Sequence, residues 1–438
     1  MSFTSTRTGQ AAPAMAPAGT GRIVLASLIG TTVEFYDFYI YGTAAALVLG
    51  PVFFPAHVPQ AEQLAAFLTF GIAFLARPVG AFLFGHFGDR VGRKSTLVAS
   101  MLVMGLSTVL IGLLPGYATA GFIAPILLCI MRLGQGIGLG GEWGGAALLA
   151  TENAPAGRRA WFGMFPQLGP SIGFLLSNGL FLLLFSVLTE QQFLDWGWRI
   201  PFLGSAVLVG IGLYIRGRLP ETIAFQKTLD RAERVALPVR DVITRQWVPL
   251  LQGAFAMVVC YALFYISTVF ALGYGTKIGH IPRQTFLGLL CIAILGMAIA
   301  TPIAALLADR FGRRPVLAVA AIAAGLSGFL IGPLLGSGQP DLVLLFLVIE
   351  LVLMGFTFAP MGALLPELFP TNLRYSGASA AYSLGGILGG SLAPYIAQRL
   401  VAYGGLAWVG HYITIAAVVS LIAVLSMSET SRRDLADR

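Results

Sequence analysis

Six charged side chains stand inside long apolar stretches of this sequence: Glu34, Asp37, Arg77, Arg132, Glu142 and Glu350. A charge held in hydrocarbon is costly unless it faces water, a partner or a bound proton, so each is a candidate for chemistry. Glu34 and Asp37 are three residues apart, which puts them at neighbouring angles of one helix. Burial and mutual repulsion there favour keeping a proton on one of the two. Asp37, Glu34, Glu142 and Glu350 are therefore the proton-coupling candidates, each weighed against a purely structural helix–helix bond. Arg77 and Arg132 are the substrate-binding candidates, because a guanidinium stays protonated and offers a planar fork to a carboxylate. Either arginine could instead pair internally with Glu34, Asp37 or Glu142. Gln135 stands three residues after Arg132. Tyr36 and Tyr39, with Tyr41 beyond them, offer an aromatic wall and hydroxyls, although helical spacing keeps all three from facing one site. Gln252, Tyr261, Tyr265 and Tyr382 are further candidates, Tyr261 and Tyr265 sharing a face by their four-residue spacing.

The elements that carry these residues must cross a membrane. The 438-residue chain is 57% hydrophobic and 11% charged, with mean hydropathy +0.83; soluble domains carry about 25% charged residues. Apolar segments lie near 23–53, 64–87, 95–114, 121–150, 161–188 and 199–216, then near 247–273, 284–308, 315–336, 341–366, 375–400 and 406–427. Each approaches or exceeds the roughly 20 residues that span about 30 Å of hydrocarbon. In lipid the backbone must satisfy its own hydrogen bonds, so these are helices. The fold class is an all-α polytopic membrane protein with twelve transmembrane helices, and the abundant glycine (54 residues) suits close helix packing.

Charge placement orients the chain. With the N-terminus inside, 21 of the 27 Lys and Arg residues fall in inner loops and tails and four at outer positions, Arg77 and Arg132 being the two within the bilayer. That asymmetry puts both termini in the cytoplasm and makes nucleic acid a poor explanation of the +8 net charge. Residues 1–21, rich in Ala, Pro, Ser and Thr, read as a disordered cytoplasmic tail. Residues 22–216 form an N-terminal six-helix bundle, 217–246 a polar cytoplasmic linker, 247–427 a C-terminal six-helix bundle and 428–438 a short cytoplasmic tail.

Two internal repeats support the division. Gly88-Asp89-Arg90-Val91-Gly92-Arg93-Lys94 follows the second segment, and Ala308-Asp309-Arg310-Phe311-Gly312-Arg313-Arg314 follows the eighth, with their aspartates 220 residues apart. Glu152 with Arg159 is echoed 215 residues later by Glu367 with Arg374. Repeats in matching inner loops favour duplicated transporter halves. Their glycines permit sharp turns, and their charges can hold neighbouring helix ends together and so keep the inner side closed. These residues are the gating candidates, against the reading of an ordinary positive-inside loop.

The loop pair resembles the duplicated inner-loop motif of the major facilitator superfamily. Val33-Glu34-Phe35-Tyr36-Asp37-Phe38, Leu75-Ala76-Arg77-Pro78-Val79-Gly80, and Arg132-Leu133-Gly134-Gln135-Gly136 followed by Gly140-Gly141-Glu142-Trp143-Gly144-Gly145 resemble its metabolite:proton symporter family. That family carries shikimate, α-ketoglutarate, citrate, and proline or betaine. Tyr41-Gly42-Thr43-Ala44-Ala45-Ala46-Leu47 looks most like the shikimate-type branch. The resemblance implies a major facilitator fold of two six-helix halves and proton-coupled uptake of a small organic acid, with Asp37 foremost among the carboxylates. The cargo implied is a shikimate-like monocarboxylate or a di- or tricarboxylate. It also implies a monomer in a bacterial plasma or inner membrane, with protons as the coupling ion and no other cofactor. A zwitterionic compatible-solute carrier is the runner-up; a channel or non-transporting receptor is the reading from a different class.

Other chemistry finds little support. Cys129, Cys260 and Cys291 all lie in apolar segments, and His57, His86, His280 and His411 are scattered, so no structural metal is expected. No Ser, His and carboxylate order suggests a hydrolase, and the Gly-rich turns lack the Gly-Lys-Ser/Thr ending of a nucleotide-binding loop. The chain is expected not to be an enzyme.

Overall fold

The computed structural model describes residues 20–431 except 56–58, 92, 141, 153, 156, 218–237 and 372. Among the described residues the regular structure is entirely helical. The N-terminal half comprises α1 (Thr20–Leu47), α2 (Pro59–Val91), α3 (Arg93–Leu113), α4 (Ile123–Glu152, broken after Gly140), α5 (Arg159–Val187) and α6 (Arg199–Gly217). The C-terminal half comprises α7 (Trp247–Lys277), α8 (Arg283–Phe311), α9 (Arg313–Leu335), α10 (Pro340–Glu367), α11 (374–404) and α12 (Leu406–Ser426). Eight of these are long and apolar enough to span a bilayer by themselves, and α6 makes a ninth when joined across a 50° bend to Glu190–Gly197. The remaining three, α1, α3 and α11, complete the twelve; α1 carries Glu34 and Asp37, and α11 is rich in Gly and Ser. Large apolar side chains such as Phe122, Ile299 and Val319 are more than half exposed. An apolar exterior of this extent needs lipid to cover it.

Within the first half α1 packs on α5, α2 on α4, and α3 on both α4 and α6; the second half repeats this with α7 on α11, α8 on α10 and α9 on α12. The halves meet where α2 touches α11 and α5 touches α8. Small residues set these distances. A Cβ placed at Gly173 of α5 would come within 2.8 Å of the Thr32 carbonyl and the Tyr36 nitrogen of α1. Gly140 of α4 likewise faces the backbone carbonyl of Arg77, which presses α4 directly onto the stretch of α2 that carries the arginine.

Helix α7 is buried at every residue from Ala256 to Gly273. Both α7 and α11 contain a π-helical turn, Ile266–Phe270 and Ile387–Ser391, beside Tyr265 and Gly386 respectively. Such turns reorient the side chains around them and recur at functional sites.

Residues 1–19 and most of the linker lie outside the described residues, but Pro238–Arg245 is a helix at the end of the linker. The segment from 428 begins as folded structure, since Thr430 is fully buried and Glu429 is bonded to the start of α9.

Candidate functional site

An aromatic layer fills the middle of the interface between the halves. Phe70, Phe74 and Arg77 recur on α2 at helical spacing, so they share one face. Phe38 of α1 meets that face edge-on, 5.2 Å from Phe74. Across the interface Tyr265 lies 5.4 Å from Phe74 and 5.1 Å from Phe70, while Tyr261 and Tyr265 stand parallel on α7 with centroids 6.2 Å apart. Tyr39 stacks on Phe264 at 4.9 Å. Trp143 of α4 stacks flat on Tyr382 of α11 at 4.0 Å, joining the two halves. Gly386 and Gly390 let α11 approach: a Cβ on Gly386 would come 3.1 Å from Phe74 and 3.2 Å from Nη1 of Arg77.

Arg77 is fully buried in this layer. Its guanidinium lies 4.2 Å from the Phe74 ring centre and 4.7 Å from that of Phe38, distances at which ring faces attract a cation. Its Nη1 donates to the Tyr261 hydroxyl at 3.4 Å, and that hydroxyl donates onward to the Tyr382 carbonyl. Nε and Nη2 of Arg77 and the Tyr382 hydroxyl have no hydrogen-bond partner in the protein. Three unsatisfied buried polar groups in one place are expensive, and a polar ligand placed among them would satisfy them.

Arg132 is placed differently. Its Nε, Nη1 and Nη2 donate to the Thr69 carbonyl, Gln135 Oε1 and the Phe70 carbonyl at 3.4, 2.6 and 2.9 Å, and its guanidinium lies 3.7 Å from the Tyr41 ring centre. Gln135 in turn donates to Thr108 at 2.7 Å and to the Asp37 carbonyl at 3.5 Å. The arginine and its glutamine thus tie α1, α2, α3 and α4 together from behind the aromatic layer.

Asp37 is fully buried on the same side. Ser205 of α6 donates to its Oδ1, and its Oδ2 has no hydrogen-bond partner. The acid within electrostatic reach of Asp37 is Glu142, which accepts a bond from Ser100 of α3 at 3.3 Å. Glu34 faces the other way, within reach of the Tyr382 hydroxyl. The two first-helix carboxylates therefore diverge, each toward a different half. Glu350 is fully buried in α10, and neither carboxylate oxygen has a hydrogen-bond partner.

Two candidates fall outside the cluster. The Tyr36 hydroxyl donates to the Pro201 carbonyl of α6 at 3.1 Å, because its angle on α1 turns it into the first half. Gln252 lies on an exposed face near the start of α7 and donates to the Ser426 carbonyl and hydroxyl of α12, at 3.0 and 3.1 Å.

The gating candidates gather at the end of the molecule where α8 turns into α9. Asp309 accepts from the backbone nitrogens of Ala160 and Trp161 at 2.9 Å each, so a carboxylate of the second half caps the first turn of α5 in the first half. Arg313 bridges Asp309 at 2.9 Å and Glu367 at 3.1 Å, Arg159 approaches Glu367 at 3.7 Å, and Thr430 donates to Glu367 at 2.6 Å. Arg374 lies within electrostatic reach of Glu152, Arg159 and Glu367. Gly312 makes the turn with φ of +101°, a conformation that favours glycine. Arg310 lies against Phe311 and Arg314 reaches the Leu425 carbonyl, both on the exposed side of the network. In the first-half copy, Gly88, Asp89 and Arg90 lie in the last turn of α2, and Arg93 and Lys94 open α3; their side chains, and Gly92 altogether, lie outside the described residues.

Glu429 was not among the sequence candidates, yet it anchors this network. Burial alone would raise its carboxyl, but the backbone N–H groups of Arg313, Ser431 and Arg314 together hold it below the usual carboxylate range. A signal existed: Glu-Thr follows the sixth helix at 221–222 and the twelfth at 429–430. Above the network, Trp143 donates to Gln167, and Gln167 donates across the interface to the Phe358 carbonyl, each at 3.0 Å. The opposite end is joined by an exposed ion pair, Arg283 with Glu190 at 2.8 Å. Among the described residues no group of three metal-ligating side chains forms.

Two six-helix halves closing on a buried polar layer, with an ionic clasp at one end, define a membrane carrier. Family models agree along the chain: residues 23–241 match the sugar (and other) transporter model and residues 280–436 the major facilitator superfamily model. The chain belongs to the major facilitator superfamily, and is a membrane transport protein and not an enzyme. It is 53% identical to the inner membrane metabolite transport protein YhjE of Escherichia coli (strain K12) over 94% of this chain and 95% of that one. It is 39% identical to the shikimate transporter of the same strain, over 94% and 95%. The proline/betaine transporter of Salmonella typhimurium (strain LT2) is 34% identical, over 94% of this chain and 84% of that one. Among solved structures, the proton:xylose symporter XylE bound to 6-bromo-6-deoxy-D-glucose superposes with a TM-score of 0.77 at 17% identity, covering 95% of this chain and 97% of that one; this likeness speaks for the fold alone.

Proposed function

We propose that the chain takes up a small organic acid together with protons by alternating access, in a bacterial inner membrane with both termini cytoplasmic. The observation that carries this is Arg77: a buried cation at the seam between the halves, with an unused hydrogen-bonding edge, beside a first half that holds the buried carboxyl of Asp37. A carboxylate on Arg77 offsets the cost of a charge held out of water. Because Arg77 belongs to α2 and its partners Tyr261 and Tyr382 belong to α7 and α11, a bound anion draws the two halves together. Asp37 cannot hold a full charge cheaply in its present surroundings, so it carries its proton while enclosed and releases it when the first half meets water. The Asp309 clasp closes the cytoplasmic side during loading and parts during delivery. The relatives' names, a metabolite carrier and a shikimate carrier, agree with an organic acid cargo.

One observation favours a second reading. Tyr382 lies within electrostatic reach of both Glu34 and Arg77, a pairing of opposite charges that also suits a zwitterion. The test is a substrate screen in proteoliposomes with the proton gradient and the voltage set independently. Accumulation of a labelled acid only under an inward proton drive supports the proposal. Accumulation of betaine and no acid favours the zwitterion, and flux indifferent to the proton drive overturns symport.

A further inference from the structure

We infer that the site accepts a single carboxylate and rejects acids that carry a second one, a conclusion that rests on the organic acid reading above and narrows it. The buried cations of the central layer described here are Arg77 and Arg132. Arg132 is committed: each of its three nitrogens already has an acceptor in the first half, and the Gln135 that receives Nη1 is itself bonded to Thr108. Drawing Arg132 onto a cargo would break all three of these bonds.

Arg77 is the reverse. Its bond from Nη1 to Tyr261 is long at 3.4 Å, and the Tyr265 hydroxyl stands near the same guanidinium. Its Nε and Nη2 are unsatisfied. The Nε–H and the adjacent Nη2–H point the same way and are spaced to meet the two oxygens of one carboxylate. Phe38 and Phe74 stand 4.7 and 4.2 Å from the guanidinium, and the Nε–Nη2 edge is the one without a protein hydrogen-bond partner. The unsatisfied Tyr382 hydroxyl supplies one more donor or acceptor, suited to a hydroxyl on the cargo. A second carboxylate would meet aromatic rings, and the layer's other ionisable groups, Glu34, Asp37 and Glu142, offer it no cation. A buried charge left unpaired is heavily disfavoured.

The test uses the full chain in detergent and matched acid pairs: 3-cyclohexene-1-carboxylate against 4-cyclohexene-1,2-dicarboxylate, and butyrate against succinate, with citrate and betaine alongside. The readout is the ligand concentration that gives half the maximal rise in Tm. At least one monocarboxylate should stabilise the protein, with its dicarboxylate partner about a hundredfold weaker. Arg77→Gln should abolish the response. Should that variant not fold, Arg77→Lys, which keeps the charge but cannot make the two-point contact, should weaken monocarboxylate binding about tenfold. Succinate or citrate binding as tightly as any monocarboxylate, with loss in Arg77→Gln, overturns the single-carboxylate inference and leaves the organic acid reading standing. Betaine binding while every acid fails, or no response to any acid, overturns both. Undiminished binding in folded Arg77→Gln removes the arginine from the site.

Discussion

Replacing Asp309 with asparagine keeps the side chain's shape and removes its charge at a carboxylate that caps a helix of the opposite half. In the closed clasp the carboxylate accepts from Ala160 and Trp161 and pairs with Arg313, all at 2.9 Å. Asparagine retains one acceptor oxygen and turns an NH2 group toward the other donor, so one helix-cap bond and the ion pair are lost. Hydrogen bonds to charged groups contribute about 1.5–3 kcal/mol each, and water at this partly accessible site recovers some of that. A net loss of about 2–3 kcal/mol moves the closed-to-open equilibrium about 30- to 150-fold toward open. Nitroxide labels at Pro155 on the first half and at Arg245, in the linker helix that packs on α7 and α11 of the second, are both exposed and would report the change by pulsed electron resonance. The three native cysteines are first replaced. Asp309→Asn should broaden and lengthen the distance distribution at this end and change turnover, while cargo binding to the remote aromatic layer is retained. A folded variant with an unchanged distribution refutes the clasp. Complete loss of binding instead assigns Asp309 a global structural role.

Three further outcomes follow from the same geometry. Asp37→Asn should collapse proton-driven accumulation while substrate exchange continues, because exchange does not need net proton release; counterflow and gradient-driven uptake at matched protein amounts separate the two. Arg132→Lys, which cannot reproduce the fork that serves Thr69, Phe70 and Gln135, should lower folding stability by about 2–4 kcal/mol with little change in cargo affinity, whereas Arg77→Lys should do the opposite; thermal unfolding and binding read each. Glu429 has a depressed carboxyl, so its contribution is present above the ordinary Glu value of about 4.3 and is lost as pH falls through its folded value. Glu429→Gln should therefore cost about 1 kcal/mol near neutrality, the size of a helix cap, and nothing in strong acid, measured as Tm against pH.

The elements were legible because lipid leaves the backbone few choices: apolar runs of membrane length had to be helices. The ionic network was legible because duplication repeats it; Asp309, Arg313 and Glu367 stand where the repeats point. Arg77 announced itself by the cost of its charge. What the sequence hid was direction. Arg77 and Arg132 look alike as isolated cations in apolar helices, and only the packing of α4 on α2 reveals that one is already satisfied by carbonyls of Thr69 and Phe70. Backbone acceptors carry no residue signature. The three-residue spacing of Glu34 and Asp37 suggested a shared site, but about 60° of helix rotation between them is enough to turn one to α6 and the other toward α11. Glu429 escaped for the same reason as Arg132: its partners are N–H groups of Arg313 and Arg314, and a short polar segment after the last span reads as tail. The aromatic layer could have been found, since Phe70, Phe74 and Arg77 repeat at helical spacing.

The central claim is that a carboxylate and a proton cross together through a layer built on Arg77 and Asp37. Proteoliposomes with no starting gradient, an external pH dye and a clamped voltage test it directly when a labelled acid that binds the protein is added outside. Protein-free vesicles set the baseline for passive permeation of the neutral acid. The account predicts external alkalinisation above that baseline, rising in step with label uptake, absent in Arg77→Gln and uncoupled from label movement in Asp37→Asn. Label uptake above baseline with no accompanying proton movement, or identical proton movement in Asp37→Asn, would contradict it.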